Sequence, residues 1–329
     1  MDWGSTFANA TLAATGPVAI SYVISALGLN LQFGYTGLLN FGHVAFMMVG
    51  AYGTAITFEA VGSLWLAIPV GILTAVALGL LLGVPTLRLR ADYLAITTIA
   101  AAEVLRLFIR SRVSASVTGG VLGIQGFAGE FFALTPFRSS GTYGFGPFLV
   151  TGRRLWVMLV GWVLAIVLIL VVRKLINSPW GRLLRAIRED EDATRSLGKN
   201  TFARKLQALA LGGGLAGVAG ILIAIEQQNV HPDNFLPIVT FILYVIVILG
   251  GAGTVWGPLV GAMAFQFLFF FLDTMMRTAQ ANLSWVNALL SQASAGQVRY
   301  VLVGLGLMAL MTFRPQGILG RRREALVDG

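Results

Sequence analysis

SPWGRLLRAIREDEDATRSLGKN, residues 178–200, mixes basic and acidic residues in a chain where 57% of residues are hydrophobic and 11% are charged. We call it the charged segment. Ser178 is suited to capping a helix whose first residue is Pro179. Apolar residues then recur at helical spacing with arginines between them, which predicts a short amphipathic helix. The four consecutive acids that follow cannot share one helical face, because successive residues are turned by about 100°. The sequence therefore predicts a bend near Asp190 and a second short helix ending at Gly198.

The chain as a whole is too apolar for a soluble protein. Its mean hydropathy is +0.81, with 40 glycines and 21 phenylalanines in 329 residues, whereas a soluble chain of that length has to cover its surface with polar groups. The composition predicts an all-α polytopic integral membrane protein, with residues 1–329 in a single transmembrane domain. The absence of cysteine excludes disulfides and thiol chemistry. Residues 1–16 contain no lysine or arginine, so the first apolar run is expected to be retained and not cleaved as a signal peptide.

A transmembrane helix needs about 20 mostly apolar residues, and the apolar runs of this chain can be compared with that length. We expect about nine spans, within a range of about eight to ten, because the ends of such runs are poorly defined by sequence. The runs lie near residues 14–33, 37–59, 63–84, 91–110, 154–172, 205–225, 235–250, 257–276 and 298–313.

Three groups of basic residues stand out: the one that begins at Arg88, the first basic residue of the chain, the densest block at 173–205, and a second block at 314–323. Cytoplasmic loops are enriched in lysine and arginine, so these groups predict the cytoplasmic face and explain the formal charge of +9 without nucleic acid. Counting spans back from Arg88 places the N-terminus outside. The glycine-rich residues 111–153 are then external, and we expect an ordered loop with a short lateral helix there.

Residues 34–53, GYTGLLNFGHVAFMMVGAYG, combine closely spaced glycines with Asn40 and His43 inside a predicted span. Close helix packing through small residues accounts for most of these glycines. Polar side chains within a span are costly and usually face an interior or a water-filled cavity, so Asn40 and His43 are candidates for the translocation pathway. Glu103 is a third candidate, since it and Asp273 are the acids whose predicted positions would suit proton coupling.

Small residues recur along the sixth predicted span. Such a stripe predicts a seam on which another helix packs closely. Because the seam follows the charged segment directly, movement of one could be passed to the other. The residues of the seam are Gly212, Gly213, Ala216, Gly217 and Gly220.

Two kinds of site are not expected from the sequence. The histidines are His43 and His231, and the second falls in a predicted external loop, so no metal site is expected. The turn at 249–258, LGGAGTVWGP, is rich in glycine but lacks lysine and the GxxxxGK[ST] pattern of a phosphate-binding loop. The chain is therefore not expected to hydrolyse ATP itself.

The charged segment can be explained by contact with lipid or with protein. A basic cytoplasmic loop on anionic lipid explains the arginines. It does not explain the acids, which anionic headgroups would repel. A helical element of mixed charge is better suited to a protein partner.

Three segments of the chain resemble the permeases of branched-chain amino acid ABC transporters, of the LivM type. They are GRLLRAIREDEDATRSLGKN in the charged segment, GYTGLLNFGHVAFMMVGAY near the N-terminus and VILGGAGTVWGPLVGA near the C-terminus, in the matching order. Asp192, Ala193 and Gly198 match the spacing of the EAAxxxG coupling motif of importers. Asp192 and Thr194 depart from that motif, which has Glu and Ala there.

The resemblance implies an ABC importer permease fold in a prokaryotic cell membrane. It implies partners as well: a second permease of the LivH type, two ATPase subunits that use ATP and Mg²⁺, and an external substrate-binding protein. Residues 173–205 would form the cytoplasmic coupling segment, lodged in a groove of one ATPase. The coupling residues would be Pro179, Gly181, Arg182, Arg185, Ala186, Arg188, Glu189, Asp190, Glu191, Asp192, Ala193 and Gly198.

Three other functions are alternatives to an ABC importer permease for branched-chain amino acids. A secondary amino acid carrier driven by ions would have no use for a docking element, and few charges lie at membrane depth. A membrane-embedded enzyme would need a metal cluster or a nucleophile with its base, and no such set is evident. A permease for urea or short amides shares the family's signatures. Because substrate choice in such importers rests mostly with the external binding protein, this alternative stays open.

Overall fold

The structure is a computed structural model that describes residues 3–89, 91–138 and 141–282, together with residues 301, 304–305, 308, 312, 314 and 316–320. Most of the predicted ninth span at 298–313 lies outside the described residues, as do the arginines at 321–323.

The described chain is predominantly helical, which confirms the predicted fold class. Its short strands are β1 (Ile124–Gln125), β2 (Thr142–Phe145), β3 (Phe148–Thr151) and β4 (Asn229–Val230), and a 3-10 helix spans Pro232–Phe235. Its α-helices are α1 (Trp3–Thr15), α2 (Pro17–Gln32), α3 (His43–Val61), α4 (Leu64–Thr86), α5 (Ala91–Arg110), α6 (Ala115–Thr118), α7 (Gly129–Ala133), α8 (Gly152–Asn177), α9 (Pro179–Glu189), α10 (Glu191–Ser196), α11 (Thr201–Gln227), α12 (Pro237–Gly250) and α13 (Gly257–Asn282).

The predicted count of nine spans is not confirmed. In the described part of the chain, α3, α4, α8, α11 and α13 are long and apolar enough to cross a membrane, and α1 and α2 meet the same test together as a pair bent by 43°. Helix α12 is apolar but has 14 residues, a length of about 21 Å against a hydrocarbon core of about 30 Å. Helix α5 has 20 residues and includes both acidic and basic side chains.

The structure has two helices where the sequence predicts one span at 14–33. Helix α1 ends at Thr15, the backbone of Gly16 is extended, and Pro17 starts α2. Proline has no N–H to donate to the preceding turn, so the helix cannot run through this position unbent. The second span differs too, because residues 33–42 are not helical and α3 begins at His43.

The loops gather at two ends of the helix bundle. At one end the Arg188 side chain donates a hydrogen bond of 2.6 Å to the Gly34 carbonyl oxygen. At the other end β1 pairs with β4, and the Glu130 carboxylate accepts a hydrogen bond from the Leu64 N–H at 2.8 Å. The segments predicted to be cytoplasmic thus share one end and those predicted to be external share the other. Which end faces the cytoplasm stays a prediction.

Residues 111–153 hold more structure than the single short helix predicted for them. They contain α6, β1, α7 and an antiparallel hairpin of β2 and β3. Strand β1 finds its partner far away in sequence, at Ile124↔Val230. A pairing of two residues with such separation leaves no periodic pattern to read, which is why the sequence did not predict it.

Helix α11 lies in the centre of the bundle, against α2, α3 and α4. The small residues of the predicted seam are all buried and face these helices. A methyl group added at Gly212 would lie 2.6 Å from the Gly28 carbonyl oxygen, and one at Gly217 would lie 2.6 Å from the Ala75 side chain. Gly213 faces the ring of Phe46, and Ala216 has no exposed surface.

Replacing Gly220 by alanine is expected to destabilise the protein by about 1–3 kcal/mol or more, the usual cost of overfilling a packed interior. An added Cβ would overlap the carbonyl oxygen of Met47 in α3, and this backbone atom cannot swing aside. The overlap outweighs the gain of about 1 kcal/mol in helix propensity. Thermal unfolding of the purified protein measures the loss. Gly129→Ala is the matched control, since nothing lies within 4 Å of the added methyl there; equal stability of the two variants would contradict close packing at Gly220.

Candidate functional site

The charged segment forms two short helices at one end of the bundle. Helix α9 begins at Pro179, the backbone turns extended at Asp190, and α10 follows. Gly198 comes just after α10 with a φ of +74°. Ser178 precedes α9 as predicted, but its hydroxyl donates to the Leu175 carbonyl oxygen at 2.6 Å and does not cap the new helix.

The turn from α8 into α9 requires glycine at position 181. A Cβ there would overlap the backbone of Ile176, so a larger residue would push α9 away from the end of α8. The apolar side of α9 is buried through Leu184 and Ile187, and Trp180 donates from its indole nitrogen to Gln207 of α11 at 2.9 Å. These contacts fix α9 against the bundle.

The acidic run at residues 189–192 is divided by the bend. Asp190 caps α10, because its carboxylate accepts a hydrogen bond of 2.8 Å from the Ala193 N–H. Glu191 forms ion pairs with Lys205 and, at 3.2 Å, with Arg195. Glu189 and Asp192 are exposed to solvent, and the Asp192 side chain keeps 90% of its accessible surface although it pairs with Arg195 at 3.3 Å. Both acids are therefore accessible on the outer face of the segment.

The ion pair of Glu191 with Lys205 connects α10 to the start of α11 and is present at neutral pH. Burial works to raise the pKa of Glu191, but hydrogen bonds from Lys205 and Thr201, with the charges of Lys205 and Arg195, outweigh it and hold the pKa below its usual value. A lowered pKa means that this ion pair contributes to stability above the ordinary carboxylate pKa, and that the contribution is lost as the pH falls through the lowered value.

A bridge of hydrogen bonds joins α9 to two other segments. We call it the Arg188 bridge, made of Asn30, Gly34, Arg188, Gly253 and Thr254. Arg188 donates to the Gly34 carbonyl oxygen. The Asn30 side chain accepts from the Gly253 N–H at 2.9 Å and donates to the Thr254 carbonyl oxygen at 2.8 Å. The bridge connects the charged segment, residues 33–42 and the turn between α12 and α13.

Asn40 and His43, two of the predicted pathway residues, meet in a buried polar cluster. Both approach the side-chain oxygen of Gln32, Asn40 at 3.0 Å and His43 Nδ1 at 3.2 Å. The other ring nitrogen of His43 lies 3.0 Å from the Ser25 carbonyl oxygen, and Gln32 also donates to the Leu209 carbonyl oxygen at 3.1 Å. Asn40 and His43 are 1% and 0% exposed, so their polar groups face other groups of the bundle and not solvent. Their role in the pathway stays a prediction.

The cluster and the Arg188 bridge lie on one continuous stretch of chain. Residues 33–42 begin beside Arg188 at Gly34 and end at the cluster with Asn40. This stretch lacks the continuous hydrogen bonds of a helix, so it can change shape more readily than the helices on either side. Movement of α9 would reach the cluster through it.

Glu103, the third predicted pathway residue, is not brought to the cluster. Its carboxylate accepts from the buried Arg106, whose other nitrogen lies 2.8 Å from Asp233 at the end of the bundle opposite α9. Asp273 pairs with Arg277 at 2.9 Å. Each acid considered for proton coupling thus has an arginine partner one turn away. Within the described residues, no group of three or more His, Cys, Asp or Glu could hold a metal ion.

Sequence reasoning missed Gln32 and the contact between Arg188 and Gly34. The signal for Gln32 was present, because Asn30 and Gln32 are polar residues at the end of an apolar run and buried polar groups need partners. The contact of Arg188 with Gly34 joins positions 154 residues apart, which no local pattern reveals.

Apolar helices long enough to span a membrane, packed around a small-residue seam with charged helices at one end, define a multi-pass membrane protein. The family described as branched-chain amino acid transport system, permease component, matches residues 13–312. The chain belongs to this family, and the resemblance found in the sequence is confirmed.

Named relatives agree with this assignment. The chain is 33% identical over 316 residues to the high-affinity branched-chain amino acid transport system permease protein LivM of Escherichia coli K12, covering 93% of this chain and 69% of the relative. A probable branched-chain amino acid transport permease protein LivM of Methanocaldococcus jannaschii is 26% identical, with 91% and 90% covered. The LivH permease of Salmonella typhimurium is 24% identical, with 96% and 94% covered. No solved structure matches. The chain is accordingly a transport subunit and not an enzyme.

Proposed function

We propose that the chain is the membrane-spanning permease subunit of an ATP-driven ABC importer that carries branched-chain amino acids into the cytoplasm of a prokaryote. The observation that supports it best is the pair of helices α9 and α10, which pack against one end of the bundle. The Arg188 bridge joins them to the stretch that bears Asn40. The names of the relatives support the substrate class. The protein would lie in the cytoplasmic membrane as one domain, residues 1–329.

The proposed partners follow from the importer assignment. A second permease of the LivH type completes the pathway, two ATPase subunits bind ATP and Mg²⁺, and an external binding protein delivers the substrate. The outward face of α9 and α10, with its exposed acids, docks in a groove of one ATPase. The exposed arginine Arg182 and the acids Glu189 and Asp192 give this face its mixed charge.

Transport would proceed by movement of the docked helices. When ATP binding closes the ATPase pair, α9 moves with its groove. The Arg188 bridge passes this movement to Gly34 and along residues 33–42, so the packing around Asn40 and His43 changes. An energy source of this kind needs no proton relay, which fits the pairing of Glu103 and Asp273 with arginines.

Uptake of radiolabelled substrates tests the proposal directly. Leucine uptake should fall to background in a strain that lacks this chain and return when the chain is restored, provided that its partner subunits are present. Urea uptake is measured in the same cells, because a permease for urea or short amides would show the loss there and not for leucine. Uptake that collapses with the proton gradient while ATP is maintained would contradict an ATP-driven mechanism.

The orientation of the chain gives a further prediction. A cysteine replacing Thr142 in the exposed hairpin β2–β3 should react with an impermeant maleimide in intact cells, whereas one replacing the exposed Lys199 should react only after the cells are opened. The chain has no native cysteine, so each label reports one site. Labelling in the reverse order would overturn the predicted topology.

A further inference from the structure

A cavity of about 490 Å³ lies beside the charged segment, between the end of α8, α9 and the turn before α13. Its polar lining includes Arg173, Arg185, Asn177 and Thr254, with Trp256 at its edge. No carboxylate is present among the described residues that line it. The cavity therefore offers two guanidinium groups and an amide to a ligand. Its described lining adds no negative charge that would repel an anion.

Arg185 is held toward this cavity and not toward the outer face of α9. Its guanidinium donates to the Ile176 carbonyl oxygen at 3.3 Å, at the end of α8. In the described part of the chain, Arg173 and Arg185 make no ion pair within 4.0 Å. Guanidinium groups without a carboxylate partner are suited to two-pronged contacts with phosphate oxygens.

The position of the cavity along α8 matches the edge of a membrane. Arg154 and Arg173 are 19 residues apart on α8, which is about 28 Å along a helix and close to the 30 Å or so of a hydrocarbon core. When Arg154 lies at one interface, Arg173 lies at the other. Trp256 is 40% exposed, and tryptophan is favoured at the level of the headgroups.

Helix α8 carries exposed apolar side chains before it reaches the cavity. Val163, Val167, Leu170 and Val171 of α8 are each between 49% and 57% exposed, and they occupy the turns that precede Arg173. Acyl chains can lie against such a surface while the headgroup reaches the arginines. A soluble anion would use the arginines but not this surface.

We propose that this cavity binds the phosphate of an anionic phospholipid from the cytoplasmic leaflet, with the acyl chains along α8. Basic pockets between helices on the cytoplasmic side are suited to anionic headgroups. The exposed apolar side chains on the same helix as Arg173 favour lipid over an acidic protein segment. The proposal is independent of the transported substrate and of the partner subunits, so it can fail while the proposed function stands.

Lipid selectivity of the purified chain tests the proposal. The protein in detergent is mixed with equal amounts of phosphatidylglycerol and phosphatidylcholine, and bound lipid is counted by native mass spectrometry. The wild-type chain should retain phosphatidylglycerol in preference. Replacement of both Arg173 and Arg185 by glutamine should lower its retention by about tenfold or more, since two charge-assisted contacts to phosphate are lost. Arg182→Gln, which removes an exposed arginine of α9 outside the cavity, should leave the preference unchanged.

A second measurement separates binding from misfolding and lipid from free phosphate. Phosphatidylglycerol should raise the melting temperature of the wild-type chain, and neither phosphatidylcholine nor inorganic phosphate should do so. Lysine at both arginine positions should restore part of the shift. Unchanged lipid preference in the double glutamine variant would overturn the proposal. An equal shift from inorganic phosphate would do so too.

Discussion

Reversing the charge of both Glu189 and Asp192 to lysine is expected to abolish uptake and to detach the ATPase subunits. Glu189 and Asp192 are exposed, and the pair of Asp192 with Arg195 at 3.3 Å lies in solvent, whereas Asp190 caps α10 and Glu191 pairs with Lys205. Removing one member of a charge pair that is buried in an interface costs about 2–5 kcal/mol of binding free energy. About 1.4 kcal/mol corresponds to a factor of ten in affinity. Co-purification of the ATPase subunits and leucine uptake by cells measure the two losses.

The same variant distinguishes protein docking from simple contact with lipid. If the charged segment only lay on an anionic bilayer, two added lysines would strengthen that contact and uptake would stay near normal. Glu59→Lys serves as the control, because Glu59 is also an exposed acid and lies at the predicted external end of α3. Normal uptake with ATPases still bound in the double variant would refute the coupling role, once the protein is shown to reach the membrane.

The charged segment could be predicted closely because its signals are local. A proline at the first helical position, four successive acids and a glycine after the last turn each act over a few residues, and the structure places the start at Pro179, the bend at Asp190 and the positive φ at Gly198. The same kind of signal is present at Gly16 and Pro17. The apolar run around them is long enough to suggest one unbroken helix, and the predicted span at 14–33 followed that length.

The interior could be predicted only in part. Burial of Asn40 and His43 follows from the cost of exposing polar groups to lipid, but their common partner Gln32 lies in a different helix. Glu103 was placed on the pathway because its depth along α5 suited it. Its pairing with Arg106 is a local contact between residues three apart on α5. The direction of both side chains depends on how α5 packs and on Asp233, 127 residues beyond Arg106. That contact is set by tertiary packing, and the sequence carries no period that encodes it.

Replacing Arg188 by alanine is expected to separate ATP hydrolysis from transport. The apolar contacts of Leu184 and Ile187 hold α9 in place without Arg188, so the ATPase subunits should still bind. The link to Gly34 would be lost, and with it the path by which movement of α9 reaches Asn40. Leucine uptake should fall by about tenfold or more if this bond, of the charged class that contributes about 1.5–3 kcal/mol, is the main connection. Substrate-stimulated ATPase activity should fall less, because the hydrolytic subunits remain assembled. Both are measured on the complete importer in vesicles with its binding protein.

The ratio of substrate moved to ATP hydrolysed decides between a mechanical link and a general loss of stability. A variant that is merely unstable would lose uptake and ATPase activity together, and its complex would be recovered in smaller amount. Arg188→Lys should keep part of the coupling, since a lysine can still donate to the Gly34 carbonyl oxygen, although its position is less fixed than that of a guanidinium. Arg112→Ala removes an exposed arginine at the predicted external end and should leave the ratio unchanged. If Arg188→Ala transported as much per ATP as the wild type, residues 33–42 would have to be moved by another contact, and the proposed route from α9 to the polar cluster would be wrong.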